Sequence, residues 1–187
     1  MNDPGTTIGY DARAVANLLL ERAGAKGIKI TNLTLQKLVY FAHGWMLTRY
    51  GRPLVDGYFE AWQHGPVHPT LYGCFKSFGR QPITAPAERV NLRTGEMVAA
   101  LPPQDVDVVE SVERVLQHLG SLSSTRLVNI SHARGAPWHE TVNKRPTETR
   151  LGLRISDTLV CERFHRHMVM GYAESRIGDV VEEAPPA

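Results

Sequence analysis

The chain has 187 residues, of which 42% are hydrophobic and 21% are charged, as in a globular domain. A formal net charge of +2 does not indicate a broad nucleic-acid-binding field, so nucleic acid is not expected as a partner. Cys74 and Cys161 form no CxxC pair, there is no signal-peptide pattern, and no apolar stretch approaches the roughly 20 residues that span a bilayer. We therefore expect a cytoplasmic protein without a membrane association.

Residues 1–10 contain Gly and Pro and are expected to form a flexible lead-in. Asp11 is predicted to cap the first helix, in which Val15, Leu18 and Leu19 recur at helical spacing.

The stretch from Thr31 to Tyr50 predicts the helix around which the rest of the chain packs. Its apolar residues cover too broad an arc for a surface helix, so other elements must cover it on several sides. Thr31 or Asn32 is expected to cap its start, and Gly51 to end it. The opposite edge of this helix is predicted to be exposed and carries Gln36, Lys37, Tyr40 and His43.

A short strand is predicted from Tyr58 to Gln63, and it could pair with Leu54 and Val55. Aromatic and branched residues bounded by turn residues are typical of a short strand.

Gly65 and Pro66 are expected to end this strand and to open a helix over roughly residues 67–78, since proline is tolerated in a first helical turn. We favour an architectural role for both, because Gly and Pro act through backbone geometry. Residues 80–103 alternate weakly and predict either a hairpin or an irregular loop.

The last part of the chain is predicted to be helical. Residues 105–119 form an amphipathic helix, a shorter helix follows Ser123 or Ser124, and a last one follows Ser156 or Asp157. We predict a mainly α fold, in which one compact helical domain over residues 11–172 surrounds a central buried helix. A small β-hairpin or a short two- to three-stranded sheet completes it, and residues 173–187 are expected to be a disordered acidic tail.

The eight histidines do not form a metal-site pattern. His165 and His167 are two positions apart on a helix, and the i, i+4 pair His64 and His68 is interrupted by the Gly-Pro step. A cysteine–histidine nucleophile stays open, although a small buried hydrophobe is the favoured interpretation of both cysteines. Without an HExxH, P-loop or GxSxG pattern, the sequence indicates neither a metal, nor a cofactor, nor an enzyme.

Aromatic and histidine residues are dense at the predicted turns, and two interpretations stay open. Trp62 and Trp138 could seal the ends of the helical core, since large aromatic residues are mostly buried. Alternatively, some of these residues, with Tyr40 and His43, form a recognition surface, because aromatic residues dominate protein–protein hot spots.

Three blocks carry a resemblance to a known family. They are LTLQKLVYFAHGWML (Leu33–Leu47), FEAWQHGPVHPTLY (Phe59–Tyr72) and SHARGAPW (Ser131–Trp138). In this order they resemble the Panacea-domain family of SocA-like or phage-associated antitoxins. The resemblance extends roughly over residues 12–164 and is weakest over residues 80–103.

The resemblance implies an antitoxin of a bacterial or prophage type II toxin–antitoxin system. Its partner would be a cognate protein toxin, encoded by an adjacent gene and neutralised by direct contact. The SocA branch implies a further mechanism, in which the antitoxin is a proteolytic adaptor that presents its toxin to the ClpXP protease. The candidate toxin-binding surface then comprises Gln36, Lys37, Tyr40, His43, Trp62, His64, Gly65, Pro66, Tyr72, His132 and Trp138.

Two other functions stay open. A DNA-binding transcriptional regulator would need a recognition helix with clustered Arg and Lys, and none is evident in the sequence. A histidine-dependent hydrolase would require His64 or His132 for its activity.

Overall fold

The computed structural model describes residues 9–143 and 152–170. Most of the predicted lead-in and the whole of the predicted acidic tail therefore lie outside the described residues. The prediction of a mainly α fold with a small sheet is confirmed. The helices are α1 (Ala12–Ala25), α2 (Asn32–Tyr50), α3 (Pro69–Phe75), α4 (Val106–Leu119), α5 (Ser124–Ser131), α6 (Pro137–Asn143), α7 (Asp157–Arg163) and α8 (His165–Met170), and a 3-10 turn (Lys76–Phe78) follows α3. The strands are β1 (Phe59–Trp62), β2 (Gly65–Val67), β3 (Glu88–Val90), β4 (Met97–Ala99) and β5 (Arg154–Ile155).

Helix α2 is the central helix, as predicted. It begins where the Thr31 hydroxyl accepts the Thr34 backbone N–H, and it ends at Gly51, which adopts a φ of +67°. Of its 19 residues, 14 are buried, because helices α1, α3, α4, α5 and α7 and strand β2 pack around it. Leu35 and Leu38 are fully buried in the core.

The prediction that one edge of α2 is exposed is wrong. The exposed fractions on this edge are 1% for Gln36, 0% for Lys37, 0% for Tyr40 and 2% for His43. The edge is covered because each of these side chains finds a hydrogen-bonding partner in a segment that packs over it.

Strands β2, β1 and β5 form an antiparallel sheet in that order. The sequence suggested that β1 could pair with Leu54 and Val55, but it does not. Val55 instead forms a parallel bridge with Tyr10. The Gly65-Pro66 step also does not open a helix, because it belongs to β2, which lies at the edge of the sheet. Proline is tolerated on an edge strand, where a missing N–H need not break the ladder.

Strands β3 and β4 form a separate antiparallel hairpin, one of the two possibilities that the sequence left open. A buried asparagine on α1 holds its base. Asn17 Nδ2 donates to the carbonyls of Ala87 and Ala100 at 2.9 and 2.7 Å, and Asn17 Oδ1 accepts the Ala87 N–H at 2.7 Å. These bonds join the hairpin to the helical core.

Candidate functional site

Four aromatic residues from separate segments meet at the surface. The Trp62 and Tyr72 rings make an edge contact with centroids 4.7 Å apart, and the His132 and Trp138 rings stack at 3.7 Å. The Trp138 indole N–H donates to the Trp62 carbonyl at 2.8 Å and so joins the two pairs. Each of the four residues is half-buried. We call Trp62, Tyr72, His132 and Trp138 the aromatic cluster.

The turn between β1 and β2 positions one side of this cluster. Trp62 pairs with Gly65 across the hairpin, which leaves Gln63 and His64 as the turn residues. The Trp62 indole N–H also donates to Glu60 Oε2 at 2.6 Å, so the ring orientation is set before any partner binds.

His132 presents a neutral ring. Burial, with smaller contributions from the neighbouring Lys37 and His64, lowers the pKa of His132 to about 4. Its Nε2 is buried and has no hydrogen-bonding partner among the described residues. At neutral pH, His132 is therefore uncharged, and its ring stacks on Trp138 as a neutral aromatic ring.

A buried lysine lies beneath the β1–β2 turn. Lys37 is fully buried and donates from Nζ to the Pro66 carbonyl at 2.9 Å. No carboxylate in the described part of the chain forms an ion pair with it. Burial alone lowers the pKa of Lys37 from 10.5 to about 7. The lysine thus satisfies an edge-strand carbonyl and can do so as a neutral amine.

Gly65 is required by its surroundings. Its φ is +93°, a conformation that L side chains rarely adopt. A Cβ at this position would collide with Ser131 Oγ and would lie 3.2 Å from Lys37 Nζ. The hydroxyl of Ser131 is itself held, because it donates to the Val128 carbonyl at 2.7 Å. Close packing of the turn against α2 and α5 therefore depends on glycine.

We expect Gly65→Ala to lower the free energy of unfolding by about 2–3 kcal/mol, since it adds both backbone strain and a steric clash. Urea denaturation followed by circular dichroism measures the change. The matched control is Gly73→Ala in α3, where an added Cβ meets nothing within 4 Å and which should be neutral or slightly stabilising. Equal stabilities of the two variants would contradict the role given to Gly65.

Tyr40 and His167 form a hydrogen-bonded pair inside the protein. His167 Nδ1 lies 2.9 Å from the Ile130 carbonyl and must donate to it, so Nε2 accepts the Tyr40 O–H at 3.1 Å. Burial lowers the pKa of His167 to about 4, which keeps this tautomer neutral at pH 7. Tyr40 therefore contributes to the fold and is not available for direct contact with a partner.

Gln36 and His43 also serve the interior. The Gln36 side-chain oxygen accepts the His68 backbone N–H at 2.9 Å and fixes the start of α3. His43 Nδ1 accepts the Val55 N–H at 3.4 Å, and its Nε2 lies 3.0 Å from Asp157 Oδ1, which holds α7. These residues position other elements and do not present a surface.

The structure thus separates the predicted site residues into two groups. Trp62, Tyr72, His132 and Trp138 come together at the surface with His64 in the adjoining turn, whereas Gln36, Lys37, Tyr40, His43, Gly65 and Pro66 are buried. Sequence reasoning missed Glu60, which fixes the Trp62 ring, and Ser131, which packs on Gly65. The position of Ser131 at the start of the third sequence block was the available signal.

In residues 9–143 and 152–170, no group of three or more His, Cys, Asp or Glu side chains could hold a metal ion. A groove of about 540 Å³ lies between the end of α1 and residues 78–84, and none of the predicted site residues lines it. None of the described helices is both long and apolar enough to cross a membrane.

Comparison with known proteins identifies the family of the chain. Residues 35–139, which include the whole aromatic cluster, match the family described as "Antitoxin SocA-like, Panacea domain". The chain is 48% identical over 177 residues to a protein named Antitoxin SocA from Caulobacter vibrioides (strain NA1000 / CB15N), with 95% of this chain and 94% of the relative covered. No solved structure matches the chain. The chain therefore belongs to the family of SocA-like antitoxins with a Panacea domain.

Proposed function

We propose that this protein is an antitoxin that neutralises a cognate protein toxin by direct contact, and that the toxin is the product of an adjacent gene. The observation that carries the proposal is the aromatic cluster, in which half-buried rings from separate segments share one surface. Family membership supports the same function, because the relative that covers most of the chain is named an antitoxin.

The aromatic cluster has the chemistry of a binding surface. Tryptophan and tyrosine are enriched at the centres of protein interfaces, where their large area is buried at little entropic cost. The Trp62 indole and the Trp138 indole are already held by hydrogen bonds to Glu60 and to the Trp62 carbonyl. A preformed surface loses little conformational entropy on binding, which favours a tight complex.

The buried part of the predicted surface supports binding indirectly. Lys37 and Gly65 fix the β1–β2 turn that carries Trp62. Both residues are buried, so neither can contact a partner directly. We therefore place the toxin contact on the aromatic cluster and assign a positioning role to Gln36, Lys37, Tyr40 and His43.

Trp62→Ala and Tyr72→Ala are each expected to weaken toxin binding by at least about 2 kcal/mol, or roughly 30-fold in Kd, because they remove central aromatic contacts. Calorimetric titration with the purified product of the adjacent gene measures Kd, and growth rescue on co-expression measures neutralisation. Thermal melts establish that each variant is folded.

The matched control is Trp45→Ala. Trp45 is also half-buried and aromatic, but it lies outside the cluster, where the Arg114 guanidinium covers its ring at 4.4 Å. It should leave Kd unchanged. If folded cluster variants bind and rescue as well as the wild type, the toxin contacts another surface; if the wild type neither binds nor rescues, the antitoxin function itself is wrong.

We further propose that the protein delivers its toxin to ClpXP, as the resemblance to the SocA branch implies. In a time course with purified ClpXP and ATP, the toxin should disappear only when this chain is present, and the chain should survive. A stoichiometric complex with no loss of toxin would contradict delivery and would leave neutralisation by masking.

A further inference from the structure

Exposed apolar residues are concentrated at one place. In the described part of the chain, the exposed large hydrophobic side chains all lie from Val90 to Val106, in the β3–β4 hairpin or in the segment that leads from it into α4. The exposed fractions are 49% for Val90, 98% for Leu92, 56% for Met97, 76% for Leu101 and 77% for Val106. Exposed large hydrophobic side chains that are concentrated in one segment mark an interaction site more often than scattered ones do.

The hairpin also has an open edge. The Ala100 N–H donates to the Ala87 carbonyl, and the Asn91 N–H donates to the Glu96 carbonyl. Hydrogen-bonded and non-hydrogen-bonded pairs alternate along an antiparallel ladder, so Arg89–Val98 is a hydrogen-bonded pair and Glu88–Ala99 and Val90–Met97 are not. By this alternation the N–H and C=O groups of Met97 and Ala99 point away from β3. No other described strand pairs with β4. These groups are therefore free to pair with a further strand.

We propose that β4 pairs with β4 of a second copy of this chain, so that two hairpins form one antiparallel sheet about a two-fold axis. With the axis at Val98, Met97 of one copy lies opposite Ala99 of the other. This is the pairing in which the outward N–H and C=O groups of both residues meet. The two Val98 side chains then face each other at a non-hydrogen-bonded position, and no charged residue opposes a like charge among the strand residues of β4.

The other edge of the hairpin does not allow this arrangement. The equivalent axis through β3 would place Arg89 directly opposite Arg89 of the second copy, and like charges at that spacing are destabilising. The exposed charges of the hairpin also balance, since Glu88 and Glu96 are matched by Arg89 and Arg93. A balanced surface favours a second copy over a strongly charged partner.

The size of the surface sets the expected strength. Strand β4 has only three residues, so each copy contributes less than the roughly 800 Å² that each partner buries in an interface of standard size. We therefore expect a dimer that forms at high protein concentration and dissociates on dilution.

Ala99→Pro tests the edge. It removes an outward N–H without removing a hydrogen bond within the hairpin, so it should abolish the dimer while the monomer stays folded. The matched control is Glu88→Pro, because Glu88 is the cross-strand partner of Ala99 and its N–H points outward on the β3 edge. Sedimentation velocity of the full chain across a wide concentration range measures both, and circular dichroism checks their folding.

A second measurement does not depend on proline. In a background with Cys74→Ser and Cys161→Ser, Val98→Cys should form an intermolecular disulfide under mild oxidation, because residues at a non-hydrogen-bonded pair are about 4.5 Å apart between Cα atoms. Arg89→Cys, on the opposite edge, should not. A wild type that is monomeric at every concentration overturns the proposal. So does a dimer that survives Ala99→Pro.

Discussion

Lys37→Met is expected to remove a rise in stability that the wild-type protein shows between about pH 7 and pH 10. Burial lowers the pKa of Lys37 from 10.5 in the unfolded chain to about 7 in the folded protein. Between these two values the unfolded chain binds a proton that the folded protein has released, so the free energy of unfolding rises with pH. Below about pH 7 both states carry the proton, and the folded state bears the full cost of the buried charge.

The expected size of this effect is large. At about 1.4 kcal/mol for each pKa unit, the wild type should gain up to about 5 kcal/mol across the interval. Lys37→Met leaves the Pro66 carbonyl without its donor, which costs about 1–3 kcal/mol at every pH. The two curves of stability against pH should therefore differ in slope as well as in height.

Urea denaturation at a series of pH values measures this difference. The matched control is Lys29→Met, which removes the same charge from an exposed position and should leave the slope unchanged. Parallel curves for wild type and Lys37→Met would mean that the amine titrates as it does in water and is not buried.

Leu38→Asp is expected to prevent folding. Leu38 is fully buried on α2 within the hydrophobic core. Burying an unpaired charge costs several kcal/mol, which is comparable to the total stability of a domain of this size. Circular dichroism, limited proteolysis and one-dimensional NMR should all show an unfolded chain.

Two controls separate this effect from a general sensitivity of α2. Leu38→Met keeps the volume and should cost less than about 1.5 kcal/mol. Thr48→Asp adds the same charge at an exposed position of the same helix and should change stability by less than about 1 kcal/mol. If Leu38→Asp folds like the wild type, α2 is not the helix on which the core is built.

The fold could be predicted from the sequence wherever local chemistry decides it. The Asp11 and Thr31 caps, the Gly51 stop and the burial of α2 follow from spacing and capping residues, and the structure confirms them. The prediction that Gly65-Pro66 opens a helix is wrong. The local preference of these residues suits a helix start, but pairing with β1 makes them part of strand β2.

The burial of the polar edge of α2 could not be predicted from the pattern. A polar side chain on a helix is normally read as facing water, yet Lys37 and His43 find partners 29 and 114 positions away in the chain. Such pairs follow from tertiary packing alone. The aromatic residues at the turns were recognisable by type, but the stack of His132 on Trp138 and the bond from Trp138 to Trp62 required the structure.

The asparagine that holds the β3–β4 hairpin binds only main-chain atoms. The Asn17 side chain bonds to the two carbonyls and the N–H at the hairpin base, and these bonds involve no side chain of the hairpin. These hydrogen bonds therefore do not depend on which residues lie between Ala87 and Ala100. Loops of altered length or a grafted peptide should be accommodated there with the helical core undisturbed, which makes the hairpin the natural insertion point for engineering this scaffold.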